Sequence, residues 1–182
     1  MREILKNLII SNINNWTDKD IYAISLFVYD ENDNPCKPTV TLGYNTETQV
    51  RKEISNADDE QEARWNYAFW LQNELLCFGT GETAKEVQIW LKNNKLPYYD
   101  DDDDVWNDND TYDKVEGITT QFVAELIKLV KEIHKSKILT KKFGKELPII
   151  IHELEYYDEI AKQNIKANGK KLLADFLDFC LG

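Results

Sequence analysis

The sequence predicts an α+β fold, in which a single domain of residues 1–182 holds a small, largely antiparallel sheet covered by several helices. The length of 182 residues is typical of one domain. Hydrophobic residues make up 42% of the chain and charged residues 30%, a balance that fills a core and argues against global disorder. Helical spacing of apolar residues recurs along the chain, whereas only three short segments have the pattern of strands.

The N-terminal segment predicts a helix followed by a β-hairpin. Apolar residues at spacings of three and four indicate an amphipathic helix over residues 2–15. Residues 21–29 carry β-branched and aromatic side chains on both faces, so we expect a strand buried on both sides. Turn-forming residues at 30–35 separate it from an alternating segment at 39–44, which predicts an antiparallel partner strand with one more solvated face.

The middle of the chain predicts two further helices. N-cap side chains followed by acidic residues indicate a helix over about 58–73. Residues 67–78 end in a short apolar run that fits a helix or a strand, and we expect the helix to continue to about Asn73. Thr83 and Glu86 have the spacing of a capping box, which predicts a helix over 83–94.

The C-terminal part predicts a long helix, a strand and two final helices. Thr119 or Thr120 is a candidate N-cap of a helix whose apolar residues keep helical spacing for about four turns. The continuous apolar run 147–151 predicts a second buried strand. A helix over 155–167 should then be separated from the last helix by a break at Gly169.

An exposed acidic loop is expected at about 98–114. The segment 98–113 contains eight aspartates and no basic residue, and mutual repulsion opposes its packing as a regular element. Its five consecutive aspartates could bind calcium, but a loop that starts at Asp100 has Val105 and Thr111 where an EF-hand needs glycine and glutamate. A solvated loop, a partner-binding loop and a cation site remain alternatives.

Aromatic side chains beside these aspartates make recognition of a partner the more specific hypothesis. Amphipathic aromatic residues next to charged ones are typical of interface anchors. The predicted partner-binding residues are Tyr98, Tyr99, Asp100, Asp101, Asp102, Asp103, Asp104 and Trp106.

A second candidate site follows the strand predicted at 147–151. His152, Glu153 and Glu155 could act there as an acid and a base at a strand end. A zinc-protease motif is absent, because Tyr156 stands where the second histidine is required. The alternative is a structural role, in which His152 is a hydrogen-bonded residue at the strand terminus.

Other patterns carry weaker signals. Gly79 and Gly81 precede a predicted helix and could offer amides to a phosphate, but no lysine follows as in a phosphate-binding loop, and a helix entry turn is the alternative. Ser25 lacks the surroundings of a nucleophile elbow. The three cysteines fit neither a disulfide framework nor a zinc site, so we expect free thiols and no cofactor.

Charge and hydropathy limit the classes of partner. The chain has 33 acidic and 22 basic side chains and a formal charge of −11, which disfavours nucleic acid and anionic lipid surfaces. No apolar run approaches the roughly 20 residues that cross a bilayer, and the N-terminus lacks the features of a secretion signal. We therefore expect a cytoplasmic protein.

The segment Trp65-Asn66-Tyr67-Ala68-Phe69-Trp70 resembles one found in a family of small bacterial proteins catalogued as a domain of unknown function. Three other stretches are similar to that family, at residues 21–25, 43–46 and 151–156, so the resemblance spans most of the chain. Members are cytosolic and occur near polymorphic toxins, which implies an immunity or partner-binding role and no catalytic residues. The resemblance does not extend to the aspartate run, so it implies no role for those residues.

The sequence thus predicts a non-enzymatic binding protein, and the resemblance implies an immunity protein that neutralises a toxin by direct contact. An acidic inhibitor gains attraction and association rate from a basic toxin. The alternative is an enzyme that uses His152 and the neighbouring carboxylates.

Overall fold

The computed structural model describes residues 1–98 and 109–182, except for the side chains of 109–114 and 116. The described strands are β1 (Ile21–Asp30), β2 (Pro38–Thr46), β3 (Leu76–Phe78) and β4 (Ile149–His152). They form one sheet in the order β3-β2-β1-β4. β2 is antiparallel to both β1 and β3, whereas β4 is parallel to β1.

Eight α-helices lie within these described ranges. They are α1 (Arg2–Asn15), α2 (Glu47–Glu53), α3 (Glu60–Trp65), α4 (Ala84–Asn93), α5 (Asn109–Ser136), α6 (Ile138–Phe143), α7 (Asp158–Asn168) and α8 (Ala174–Leu181). This arrangement confirms the predicted α+β fold with a largely antiparallel sheet. The two strands predicted to be buried, β1 and β4, are neighbours in the sheet.

Helices cover both faces of the sheet. On one face, α1 and α5 pack with Ile24 and Ile151 in the larger core. On the other face, residues of α3, α7 and α8 pack with Tyr22, Ala23 and Ile150. The register of β1 against β2 shifts near Tyr22, and the extra residue of this bulge lets two consecutive side chains enter the same core. β1 is therefore buried on both sides, as its sequence predicts.

The outer edge of β4 is closed by two asparagines that lie one turn apart on α7. The Asn164 side chain accepts from the amide of Ile151 at 2.8 Å and donates to its carbonyl at 2.7 Å. Asn168 does the same for Ile149, at 2.8 and 2.9 Å. The two carboxamides take the place of a further strand, because each supplies the donor and the acceptor that an edge residue otherwise exposes.

The predicted helix over 58–73 is wrong beyond Trp65. The backbone leaves the helix at Asn66, which has φ −73° and ψ 119°. The Asn66 side chain then accepts a hydrogen bond from the amide of Ala68 at 3.0 Å and starts the short 3-10 helix Tyr67–Phe69. A local side-chain acceptor of this kind competes with helical hydrogen bonding and ends the helix.

The chain that follows joins the sheet. The Asn73 side chain accepts from the amide of Tyr44 in β2 at 2.9 Å. A Cβ added to Gly43 would lie 2.7 Å from the Asn73 carbonyl oxygen, so only glycine permits this approach. β3 then pairs with β2, and the expectation of a more solvated face on β2 is wrong, because only Tyr44 in that strand stays half-buried.

Two helix N-termini are built differently from the prediction. α4 begins where expected, but no capping box forms: the Thr83 hydroxyl accepts from the amide of Gly79 and donates to the carbonyl of Thr80, both at 2.9 Å. The helix entry turn thus uses an amide that a phosphate would need. α2 was not predicted, and its N-cap is Thr46, which accepts from the amide of Gln49 at 3.1 Å.

The longest helix starts earlier than its sequence suggested. α5 begins at Asn109, so the expected caps Thr119 and Thr120 lie inside it, and the expected loop overlaps it at 109–114. The apolar stripe extends N-terminally to the buried Val115, which lets the helix continue toward the acidic segment. Of the rest of the predicted loop, Tyr98 is described and residues 99–108 lie outside the described residues.

Shortening a buried side chain in either core should lower the stability of the protein. Ile24 and Ile150 are both 0% exposed and lie in different cores, so Ile24→Ala and Ile150→Ala should each lower the free energy of unfolding by about 2–5 kcal/mol. Urea unfolding measures the loss. Ile89, which is 42% exposed on α4, is the control, and Ile89→Ala should change stability by less than about 0.5 kcal/mol. Equal effects at all three positions would contradict the assigned cores.

The hydrogen bonds between the asparagines and β4 predict that removing Asn164 also lowers stability. Asn164→Ala leaves the buried amide of Ile151 without its acceptor, removes one of two side-chain donors to the Ile151 carbonyl, and should cost about 2–4 kcal/mol. The half-buried Gln163 also donates to that carbonyl, at 2.9 Å, and Gln163→Ala should cost less than about 1 kcal/mol. Hydrogen exchange should accelerate at the Ile151 amide in Asn164→Ala only. Unchanged exchange there would contradict the role of Asn164.

Candidate functional site

The parallel pairing of β1 and β4 creates a cleft at one edge of the sheet. The carboxyl ends of parallel strands lie at the same edge, where the chains leave in different directions and form a natural binding crevice. β1 ends here at Asp30 and β4 at His152, with Phe27 and His152 paired across the two strands. The cleft that results has a volume of about 670 Å³.

The polar lining of this strand-end cleft is acidic. Asp30 and Asp33 come from the end of β1, and Glu153 and Glu155 come from the segment after β4. No lysine or arginine stands among the described residues that line it. Four carboxylates thus face one concave space without a local cation.

Asp30 is the most perturbed of these carboxylates. Burial raises its pKa to about 6, and the nearby charges of Glu153 and Asp33 act in the same direction. The hydroxyl of Thr119 on α5 donates to Asp30 at 3.3 Å and opposes the shift only in part. A carboxylate held in this way gains from a positive charge brought into the cleft.

Apolar groups stand beside the carboxylates. Leu154 is 72% exposed, the largest value among the large hydrophobic residues in the part of the chain that the structure describes. Tyr157 is 43% exposed, and its hydroxyl donates to Glu153 at 3.2 Å. Exposed leucine and tyrosine beside unneutralised acidic groups are the mixture expected at a protein-binding surface.

His152 lies behind this cleft and does not line it. Its side chain is 0% exposed. Nδ1 lies 2.8 Å from the carbonyl oxygen of Glu153, which can only accept, so Nδ1 carries the hydrogen. Nε2 then accepts from the hydroxyl of Ser25 at 2.8 Å. Burial lowers the pKa of His152 to about 4, so the ring is neutral at physiological pH.

Aromatic rings enclose the Ser25–His152 pair. Tyr67 and Phe27 have centroids 4.6 and 5.6 Å from the imidazole, and Trp70 is at 6.0 Å. The space on the other side of Ser25 has no room for a water molecule. Both ring nitrogens are used within the protein and no substrate path reaches them, which favours the structural alternative for His152.

The structure therefore separates the predicted polar site. Glu153 and Glu155 line the cleft, whereas His152 belongs to the core behind it. In the sequence, Asp30 and Asp33 belong to the turn predicted at 30–35. The signal that could have found them is the parallel relation of the two buried strands, which places the end of one beside the end of the other.

Most of the predicted partner-binding residues lie outside the described ones. These are Tyr99, Asp100, Asp101, Asp102, Asp103, Asp104 and Trp106. Tyr98 is described: its half-buried ring packs against the larger core, and its hydroxyl accepts from the side chain of Gln88 at 2.7 Å. Tyr98 thus ties the start of the acidic segment to α4.

Further features bear on the expected partners and chemistry. The described residues contain no group of three or more histidine, cysteine or carboxylate side chains arranged to hold a metal ion. Cys36, Cys77 and Cys180 are free thiols, as predicted. Among the described helices, none has the length and apolar character needed to cross a membrane.

Comparison of the chain with protein-family models, curated proteins and solved structures gave no match. The resemblance to a toxin-associated family therefore stays a prediction from the quoted segments.

The raised pKa of Asp30 predicts a pH-dependent stability difference. The folded protein binds this proton more tightly than the unfolded chain, so stability falls as pH rises from about 4 to about 6. Asp30→Asn lacks this loss and keeps an acceptor for Thr119. The variant should be more stable than the wild type by about 1–2 kcal/mol at pH 7. This is roughly half of the free energy that the pKa shift would correspond to in a fully buried group, because part of the carboxyl group remains in water.

Urea unfolding at several pH values tests this. The advantage of Asp30→Asn should disappear below about pH 4, where both folded and unfolded chains carry the proton. Asp33→Asn is the matched control, since Asp33 is exposed in the same cleft and asparagine tolerates its φ of 57°. An advantage that is the same at every pH would contradict a buried, destabilising charge at Asp30.

Proposed function

We propose that this chain is a non-enzymatic binding protein that holds a basic segment of a partner protein in the strand-end cleft. The observation that carries the proposal is the cleft lining, in which four carboxylates and the exposed Leu154 and Tyr157 meet without a lysine or arginine among the described residues. An arginine or lysine side chain offers both a charge for the carboxylates and an aliphatic stem for the apolar groups.

Electrostatics support a cation as the group that is bound. The charges of Glu153 and Asp33 disfavour the charged form of Asp30, which is also partly removed from water. A guanidinium or ammonium between Asp30 and Glu153 would relieve this repulsion and restore the ordinary acidity of Asp30. Binding would thus recover free energy that the unbound protein loses by keeping a carboxylate in this position.

A basic toxin is the partner class we propose, with the chain as its immunity protein. The formal charge of −11 attracts a basic protein over distances of about 8–10 Å at physiological salt. Direct contact at a cleft lined by acidic and apolar groups would cover a basic surface of the toxin. The resemblance of four segments to toxin-associated proteins favours the same role. The aspartates at 100–104 and Trp106 remain a predicted second contact.

The enzyme alternative receives less support. Glu153 and Glu155 are available in the cleft, but the histidine that was expected to work with them faces Ser25 and the aromatic core instead. No observation within the described residues favours a substrate for an acid and base at this edge, so we do not propose an enzyme.

A partner captured from native lysate would test the proposal. We expect tagged protein to recover a basic protein whose expression alone stops growth and whose toxicity ends when this chain is co-expressed. The double variant Asp30→Asn/Glu153→Gln removes two cleft charges and should weaken the purified complex about tenfold or more, mainly through faster dissociation. Biolayer interferometry measures both rates.

A charge-matched control separates the cleft from overall charge. Asp58 and Glu82 are exposed and lie on other parts of the surface, so Asp58→Asn/Glu82→Gln removes the same charge. This control should change only the association rate, by less than about threefold, because distant charges act through steering. Equal losses of affinity in the two double variants would contradict the cleft as the binding site. A harmless partner would contradict the immunity role.

A further inference from the structure

The strand-end cleft continues into a groove between α5 and α7. The groove has a volume of about 370 Å³ and shares Thr119, Glu153 and Tyr157 with the cleft. The cleft and the groove are therefore adjacent, and these three residues border both. A ligand seated on the carboxylates needs to pass only these side chains to reach the groove.

The middle of this groove is apolar. Val123 and Ile127 lie one turn apart on α5 and are half-buried, with the exposed Ala124 beside them. The small side chain of Ala124 leaves room between its larger neighbours. An aliphatic side chain of a ligand could pack here against three apolar groups of one helix.

The charge of the surface changes sign at the far end. Lys162 and Lys166, one turn apart on α7, line the groove away from the acidic cleft. Lys162 pairs with Glu159 at 3.3 Å, but both side chains are more than 60% exposed, so the pair is weak. Lys166 forms no ion pair within the described ranges of the chain. Along the surface, the order is thus acidic, apolar and basic.

We propose that the groove binds the continuation of the same partner segment, which carries an apolar side chain after its basic residue and a carboxylate after that. This inference rests on the proposed function and specifies the sequence of the bound segment. Charge complementarity at both ends favours one orientation of the segment, because reversal would place like charges together.

The length of the groove sets the spacing between the basic and the acidic residue of the bound segment. Residues 119 to 127 of α5 span about 12 Å of helix axis, which an extended peptide covers with about four residues. The bound segment should therefore have its basic and acidic residues about four positions apart, with the apolar residue near the middle. Alternate side chains of an extended peptide point to the same side, so all three can face the groove.

Selection from a phage-displayed library of random twelve-residue peptides tests this pattern. The wild-type chain should select basic, apolar and acidic residues at the stated spacing. Lys162→Glu/Lys166→Glu should select peptides in which the acidic residue is lost or replaced by lysine or arginine. For one selected peptide, this double variant should weaken binding about tenfold, and changing the peptide's acidic residue to lysine should restore it.

The control variant Lys19→Glu/Lys92→Glu makes the same charge change at exposed sites of other segments and should keep the wild-type preference. Melting temperatures verify that each variant is folded. Selection of a basic residue without an acidic one would overturn this inference and leave the proposed function standing. The proposed function itself would be overturned by either of two results. The wild-type chain selects peptides without a basic residue, or the Asp30→Asn/Glu153→Gln variant still selects a basic residue.

Discussion

The parallel pairing of β1 with β4 is the contact on which the rest of this structure depends. It joins residues as far apart in sequence as Ser25 and His152, which are 127 positions apart and share a buried hydrogen bond. The pairing also completes the two apolar faces that α1 and α5 cover on one side and α3, α7 and α8 on the other. Without it, the cleft would not exist, because its two walls leave from these two strand ends.

Polar groups inside the fold are used to fix this pairing. Asn164 and Asn168 close the outer edge of β4, and the neutral His152 joins β4 to β1 through Ser25. Each buried donor in these contacts has an acceptor of fixed position, which makes an alternative strand register costly. The histidine that the sequence offers as a candidate base thus supports the sheet, and its low pKa follows from the burial that this support requires.

In contrast to these buried polar groups, groups in the cleft lie in surroundings that disfavour them. Burial and neighbouring charges disfavour the carboxylate of Asp30, and the large apolar side chain of Leu154 is exposed to water. Both features lower the stability of the unbound protein, and both are relieved by a ligand that is basic and partly apolar. Binding surfaces commonly carry such local costs, since the groups that prefer a partner are those poorly satisfied without one.

The fold class, the buried strands and most helices could be predicted from the sequence, because apolar periodicity is local and survives tertiary packing, as in residues 2–15 and 21–29. The remaining elements depend on contacts between distant parts of the chain. After Trp65, hydrogen bonds of the Asn66 and Asn73 side chains replace the expected helix by a turn and an edge strand. Helical propensity does not predict these hydrogen bonds. In the same way, Glu153 and Glu155 could be named from the sequence, whereas Asp30 became part of the site only through parallel pairing, which brings together chain segments that no local pattern connects.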